Sequence, residues 1–187
     1  VYGNPEENVP GCIARGIDEK VANKIYDNMI DFAKYAFNKS HAAAYAVVAY
    51  QTAYLKYYYP VEFMAALMTS VLDNTSKVSE YIYTCRQMGI AILPPDINEG
   101  EGGFSVSGQA IRYGLSAIKS IGRPVIEGIV REREEHGEYT SLKTFVERNI
   151  NQINKRVVEN LIKAGALDCL EGNRKQKMFV YPQIIDS

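Results

Sequence analysis

Helix-length segments separated by strong helix breakers make up the first ninety residues, and this spacing is what most restricts the possible fold. Asp18 precedes a segment running to about Lys34, in which apolar residues recur every three or four positions, as on one face of a helix. A second segment begins near Ser40 and is expected to end at Tyr59, because Pro60 disfavours helical geometry in the residue before it. Pro60 itself suits the first turn of a third helix. The pattern predicts consecutive helices throughout the first half.

The pattern changes after Gly89, where helical periodicity stops. A fourth helix, capped by Ser76, is expected to end at this glycine in the left-handed conformation. Alternating polar and apolar residues over 104–113, interrupted by a Ser-Gly turn, predict a small β-hairpin. The glycine-rich stretch 98–103 is expected to be a flexible connector, so we place a domain boundary near residue 100.

The composition is that of an ordinary globular protein without a strong charge bias. Hydrophobic residues make up 47% and charged residues 23% of the chain, and the net charge is -1. This balance excludes a generic basic nucleic-acid binder, so any contact with DNA must come from local patches or from backbone geometry. No apolar stretch is long enough to cross a bilayer, so no membrane partner is expected.

The cysteines indicate a reducing compartment. Cys12, Cys85 and Cys169 are an odd number set far apart, which is typical of the free thiols of a cytoplasmic protein. None forms a C-x-x-C pair, so no zinc site is expected. Because the start of the chain lacks an initiating Met and the layout of a signal peptide, we expect the sequence to be an excerpt of a longer protein.

A short polar segment, Asn38-Lys39-Ser40-His41, directly precedes an Ala- and Tyr-rich helix. An anion could bind here, because the first N–H groups of a helix are unpaired and Lys39 adds a charge beside the positive end of the helix dipole. The alternative is an ordinary N-cap, in which the Ser40 hydroxyl closes the first turn and Lys39 is solvated. Residue spacing alone leaves both interpretations open.

Two glycine turns in the second half each adjoin apolar, helix-forming residues. The first lies within 115–130, where an apolar helix, a turn at Ile121-Gly122 and a second helix near Pro124 are predicted; the second lies within 161–168. Both resemble the helix-hairpin-helix element, which grips duplex DNA without reading its sequence. A glycine lets the backbone approach a phosphate, and the N–H groups of the following helix bond its oxygens. The alternative is two hairpins that only bury apolar side chains.

The predicted DNA contacts are the turn residues of both hairpins and the cations beside them: Lys119, Ser120, Gly122, Arg123, Lys163, Gly165 and Ala166. Ser120 stands where a glycine often precedes the apolar residue of such a turn, and Pro124 has no N–H. We therefore expect the first hairpin to hold DNA more weakly than its relatives do.

Segments throughout the chain resemble, in the same order, the family of bacterial class C replicative DNA polymerases. They are Gly11–Asp18, Phe37–Tyr58, Pro60–Met68, Ile92–Asn98, Tyr113–Lys119 and Leu161–Asp168. The resemblance implies a mainly α fold. Residues 1–99 would be the C-terminal part of the helical fingers domain, and residues 100–187 a small β-hairpin, a tandem helix-hairpin-helix module for duplex DNA and the start of a linker.

The same resemblance implies that the polar segment binds the incoming nucleotide. Lys39 would contact the triphosphate, and Ser40 would either cap the helix or bond a phosphate. His41 would pack against the sugar or bond to it, unless it is a buried histidine bonded to backbone. Asn38 would shape the turn, and Tyr45 would lie near the nucleotide because it is one helical turn from His41.

The resemblance also implies what this chain lacks. Polymerases of the family use two metal ions held by paired aspartates of a palm domain, so the Mg²⁺ is expected there and no catalytic residue is expected here. The segment alone should be inactive. The implied partners are primer-template DNA, deoxynucleoside triphosphates, the rest of the polymerase subunit, the sliding clamp and other replisome subunits.

Two other functions remain open, a non-catalytic DNA-binding module and a docking module for replisome proteins. The sequence does not separate replicative from error-prone members of the family. It also leaves open whether Arg174, Lys175 and Lys177 touch DNA or form a linker.

Overall fold

The structure, a computed structural model, describes residues 1–35 and 39–186, most of which are helical. The mainly α fold is therefore confirmed. The chain divides into two compact units, residues 1–53 and residues 54–187. None of the described helices combines the length and apolar character that crossing a membrane requires.

The first unit begins with a small β-ribbon and continues into helices. Its elements are β1 (Gly3–Asn4), β2 (Val9–Pro10) paired antiparallel with it, a 3₁₀ turn (Ile13–Arg15), α1 (Glu19–Tyr35) and the first part of α2 (Lys39–Tyr58). Asp18 caps α1 as predicted, because its Oδ1 accepts a hydrogen bond from the Val21 amide at 3.1 Å.

The apolar face predicted for α1 is present, but most of it is exposed. Ala22 is buried, whereas Ile25, Met29 and Phe32 are 54%, 62% and 74% exposed. Large apolar side chains are usually covered in a folded protein, so a contiguous row of them marks a contact surface. We call Ile25, Met29 and Phe32 the α1 apolar face.

The second unit starts with the end of α2 and continues into two further helices, α3 (Pro60–Ser70) and α4 (Thr75–Gln87). Pro60 is the first residue of α3, as predicted. The cap predicted at Ser76 is wrong, because Asn74 caps α4: its side chain accepts a hydrogen bond from the Lys77 amide at 3.1 Å. Ser76 lies inside the helix. Gly89, two residues after the end of α4, has the predicted left-handed conformation, with φ of +75°.

Three short strands form one small sheet: β3 (Ala91–Leu93), β4 (Ser105–Ser107) and β5 (Ala110–Arg112). The predicted hairpin is the antiparallel pair β4–β5, turning at Gly108 with φ of +62°. The sequence did not predict that β3 pairs parallel with β5, which places Ile92 opposite Ile111. The sheet packs with α3 and α4 around one core: Val61, Met64, Ala65, Met68, Val78, Cys85, Ile90, Phe104 and Ile111.

The remaining helices build a second core. They are α5 (Arg123–His136), α6 (Leu142–Asn149), α7 (Lys155–Ala164) and α8 (Arg174–Asp186). Phe145 is fully buried at its centre and meets Tyr139 edge to face, with ring centroids 5.0 Å apart. The Ile97 amide donates to the Ala166 carbonyl oxygen at 2.8 Å, which joins the segment after β3 to the end of α7.

The prediction that 98–103 is a flexible connector is wrong. The buried guanidinium of Arg133 donates to the carbonyl oxygens of Ile97 and Gly100, at 3.2 and 2.6 Å, and to the Glu101 carboxylate at 2.9 Å. These bonds fix the segment against α5. Both cores contain residues from before and after this segment, and the domain boundary near residue 100 stays a prediction.

Close backbone packing also explains a glycine just before the first hairpin. The Leu115 amide donates to the Glu101 carbonyl oxygen at 2.9 Å, which draws the two segments together. A Cβ on Gly114 would lie 2.6 Å from the carbonyl carbon of Gly103. No side chain fits at Gly114 unless the backbone moves.

Candidate nucleic-acid interface

The first hairpin has an exposed turn with an unusual backbone. Its first arm is a 3₁₀ turn, Leu115–Ala117, so the α-helix predicted here is wrong. The arm stays short because the Leu115 amide bonds Glu101 across the fold and Ile118 is already extended, with φ of -73° and ψ of 120°. Lys119 and Ser120 form the turn itself, and Ser120 has φ of +66°, a left-handed conformation that favours glycine.

Gly122 starts the second arm of this hairpin and leaves its backbone accessible. It is exposed at the N-cap of α5, and a Cβ there would meet no atom closer than 3.7 Å. The Val125 and Ile126 amides both donate to the Gly122 carbonyl oxygen. Among the described residues, the amides of Gly122 and Arg123 have no acceptor, so two N–H groups remain for a ligand.

Two of the predicted cations border this turn, and they differ in their partners. Lys119 is exposed and has no carboxylate within ion-pair distance in the described part of the chain. Arg123 donates from Nη2 to Asp73 Oδ2 at 2.6 Å. Asp73 lies in the corner between α3 and α4, so an internal carboxylate already occupies one position that a phosphate could take.

Sequence reasoning missed a third cation at the same turn. Arg156, in the first turn of α7, donates from Nη2 to Ser120 Oγ at 3.2 Å. Asn154 fixes the start of α7, because its Oδ1 accepts from the Val157 amide at 3.0 Å. The sequence did contain a signal for this helix start: an asparagine, which is a preferred N-cap, is followed by two cations and an apolar run. We call Lys119, Ser120, Gly122, Arg123 and Arg156 the turn cluster.

The second predicted hairpin has a different geometry from the first. Gly165 is buried with φ of +87° and ends α7, and Ala166 is 0% exposed. Their amides donate to the carbonyl oxygens of Ile162 and Leu161, so the glycine acts as a helix C-cap rather than as an open phosphate site. Lys163 is exposed and pairs with Glu159 one turn back. DNA contact at these residues stays a prediction that this geometry does not support.

The basic segment after residue 173 is helical and internally paired in large part. Arg174 donates to the Asp168 carboxylate, and this bond lowers the pKa of Asp168. Lys177 is 2% exposed and donates to the carbonyl oxygens of Leu170 and Gly172, at 2.8 and 2.6 Å. These cations therefore hold the bend before α8 in place.

The predicted nucleotide-binding residues lie at the start of α2. Lys39 is its first described residue and is exposed, and Ser40 lies inside the first turn, so the prediction that Ser40 caps the helix is wrong. Asn38 lies outside the described residues. His41 is exposed, contrary to the buried-histidine alternative, and its ring lies 4.4 Å from that of Tyr45. Whether Tyr45 lies near a bound nucleotide stays a prediction.

The resemblance implies Mg²⁺ in a palm domain, which this segment is not expected to contain. Among residues 1–35 and 39–186, no three His, Cys, Asp or Glu side chains come together in a metal-binding group. The Mg²⁺ ions of a two-metal reaction are held by one or two carboxylates together with water and substrate phosphates.

Comparison with known proteins places this geometry in context. Residues 89–177, which contain the turn cluster, match a family model described as the helix-hairpin-helix motif. The chain is 49% identical over 164 residues to the DNA polymerase III subunit alpha of Thermus aquaticus, a match that covers 87% of this chain and 13% of that protein. It is 43% identical over 178 residues to that of Mycobacterium tuberculosis (strain CDC 1551 / Oshkosh), with 95% and 15% covered.

A third relative has the same name. The DNA polymerase III subunit alpha of Vibrio cholerae is 48% identical over 170 residues, covering 90% of this chain and 15% of that protein. The chain thus spans 13 to 15% of the length of these relatives.

Proposed function

Since the chain belongs to the DNA polymerase III alpha-subunit family, of which it corresponds to one segment, we propose that it grips duplex DNA during template-directed DNA synthesis. The observation that carries the proposal is the turn cluster inside the helix-hairpin-helix match. Two backbone amides without an acceptor and the side chains of three cations are exposed there. Such groups suit the phosphates of the primer-template duplex.

The grip would be independent of base sequence. Amide and cation contacts to phosphate position a protein on DNA but carry no sequence information. With a net charge of -1 the chain has no long-range attraction for DNA, so binding would depend on the local cluster. The proposed binding is weak and falls steeply with salt.

Anisotropy of a fluorescent DNA duplex titrated with the 187-residue chain tests this proposal. Three phosphate contacts would give a slope of log K against log salt of about -2.7. Lys119→Gln is expected to make the slope shallower by about 0.9, because it removes one of these contacts. Binding without salt dependence, or with a marked preference for one base sequence, would contradict the proposal.

The second part of the proposal concerns the incoming deoxynucleoside triphosphate, which Lys39 would contact at the start of α2. Its support is that Lys39 is exposed in the first turn of α2, two residues before His41, whose ring lies 4.4 Å from that of Tyr45. The catalytic carboxylates and Mg²⁺ would belong to another part of the subunit. Within the cytoplasm, the sliding clamp and other replisome subunits would bind the full-length protein.

A chimera tests the nucleotide role. The chain would replace the matching segment of the Thermus aquaticus subunit, and Lys39→Ala would be compared with Lys119→Ala. Lys39→Ala is expected to raise the apparent KM for nucleotide and leave the Kd for primer-template DNA unchanged, whereas Lys119→Ala should weaken DNA binding. An unchanged nucleotide dependence in Lys39→Ala would refute this role.

A docking function has one specific observation in its favour, the α1 apolar face. Its three side chains are more than half exposed, and the relatives are about seven times as long as this chain. The rest of the alpha subunit is therefore the partner we propose for this face. A purely DNA-binding module would not need it, so a Met29→Glu change that disrupts the full-length chimera but leaves DNA binding by the chain intact would support the docking role.

A further inference from the structure

Arg156 connects two parts of the fold that the sequence keeps far apart. It lies 36 residues after Ser120, yet its guanidinium bonds the Ser120 hydroxyl at the tip of the first hairpin. Both side chains are exposed. The start of α7 and the turn before α5 therefore present their polar groups at one place.

The charge of Arg156 is available to a ligand. Its neighbours Arg123 and Lys155 have carboxylate partners, Asp73 and Asp186, each at 2.6 Å. In the described part of the chain, Arg156 has no carboxylate within ion-pair distance, and its hydrogen bond goes to a neutral hydroxyl. A guanidinium has five N–H donors in a planar fork, so a single bond to Ser120 leaves most of them uncommitted.

We propose that Arg156 binds a backbone phosphate of duplex DNA, and that Ser120 is the positioning residue that orients its guanidinium toward the first hairpin. The inference rests on the proposed DNA-binding function and adds a contact from α7 to it. A planar fork matches two phosphate oxygens, and holding one edge of it reduces the conformational freedom lost on binding. The first hairpin and the start of α7 would thus engage one stretch of duplex together.

The test compares Arg156→Gln with Arg131→Gln in the same anisotropy titration, with the fold of each variant checked by circular dichroism. Arg131 is a matched control, because it is an exposed arginine of α5 away from the turn cluster. Loss of one phosphate contact is expected to make the salt slope shallower by about 0.9 and to weaken binding about eightfold at 0.1 M salt. Arg131→Gln should leave the slope unchanged and alter the affinity less than about twofold.

Two further variants separate charge from position. Arg156→Lys keeps the charge, so it should keep the slope of log K against log salt while losing part of the affinity. A slope as shallow as that of Arg156→Gln would overturn the inference. Ser120→Ala should weaken binding with the slope unchanged, and Ser120→Asn should restore binding, because asparagine tolerates positive φ and offers an acceptor. Failure of this rescue would overturn the positioning role.

The outcomes also distinguish this inference from the function on which it rests. If Arg156→Gln behaves like Arg131→Gln while Lys119→Gln lowers affinity and slope, the role of Arg156 is refuted and duplex binding stands. If the unaltered chain shows no salt-dependent binding to a duplex, both fall.

Discussion

Replacing Gly114 and Gly122 by alanine separates close packing from backbone conformation. The two glycines have nearly the same backbone, with φ and ψ of -66° and 131° at Gly114 and -70° and 143° at Gly122. Alanine adopts these angles without strain, and by reducing the freedom of the unfolded chain it stabilises such positions by about 0.4 to 1 kcal/mol. Conformation alone therefore predicts a small gain at both.

Packing reverses the sign at Gly114. Its new Cβ would lie 2.6 Å from the carbonyl carbon of Gly103 and 2.8 Å from the Phe104 amide nitrogen, both of which are backbone atoms. Forcing such a shift costs about 1 to 3 kcal/mol. With the overpacking cost and the entropic gain each taken at mid-range, the net effect expected for Gly114→Ala is a loss of about 1.3 kcal/mol.

Urea denaturation measures both variants. Gly114→Ala should lower the midpoint at an unchanged m-value, because the change acts on the folded state, and Gly122→Ala should leave the midpoint equal or slightly higher. Gly122→Ala should also weaken DNA binding, since a methyl group would stand where a phosphate approaches. Equal shifts of the two midpoints would refute the packing argument.

Two further predictions concern ionised groups. Asp73→Asn should raise the affinity for duplex about 1.4- to fivefold by releasing Arg123, since an exposed pair is worth about 0.2 to 1 kcal/mol; Asp168→Asn removes the same charge elsewhere, and an equal rise with it would count against this reasoning. For Glu132, partial burial raises the pKa, but the hydrogen bond and charge of Arg148 outweigh it, so the pKa lies below its ordinary value of 4.5. A depressed carboxyl pKa stabilises the fold above the unfolded-state pKa, and this stability is lost as pH falls through the folded-state value. Glu132→Gln should therefore flatten the loss of unfolding free energy below about pH 4.5, and an acid limb as steep as before would contradict it.

Local patterns in the sequence predicted the helices well. Asp18, Pro60 and Gly89 each act within a few residues of their own position, through a cap, a missing N–H or a left-handed turn, so the neighbouring residues suffice to recognise them. Ser76 and Ser40 show the limit of this approach. Several capping residues stand close together there, and which one closes the helix depends on where the preceding chain turns.

Contacts across the chain were not predictable from such patterns. The glycines around residue 100 suggested flexibility, but a Cβ on Gly100 would lie 2.4 Å from the Asp96 carbonyl oxygen, so this position is small because two stretches of backbone meet there, as they do at Gly114. The pairing of Arg156 with Ser120 depends on how α7 packs, which no local pattern reports. The sequence identified Gly165 as a turn residue. It did not show whether the Gly165 amide faces solvent or the end of α7, because this depends on tertiary packing.

The bond from the Ile97 amide to the Ala166 carbonyl has a consequence for how the protein forms during synthesis. A ribosome releases residue 97 well before residue 166, so the part of the chain after β3 emerges long before its acceptor exists. Contacts between residues so distant in sequence form late, because closing the intervening loop costs conformational entropy before the contact itself adds any stability. The second core therefore assembles only when the end of α7 has left the ribosome, and a ribosome paused before that point would hold a chain with its apolar helices uncovered.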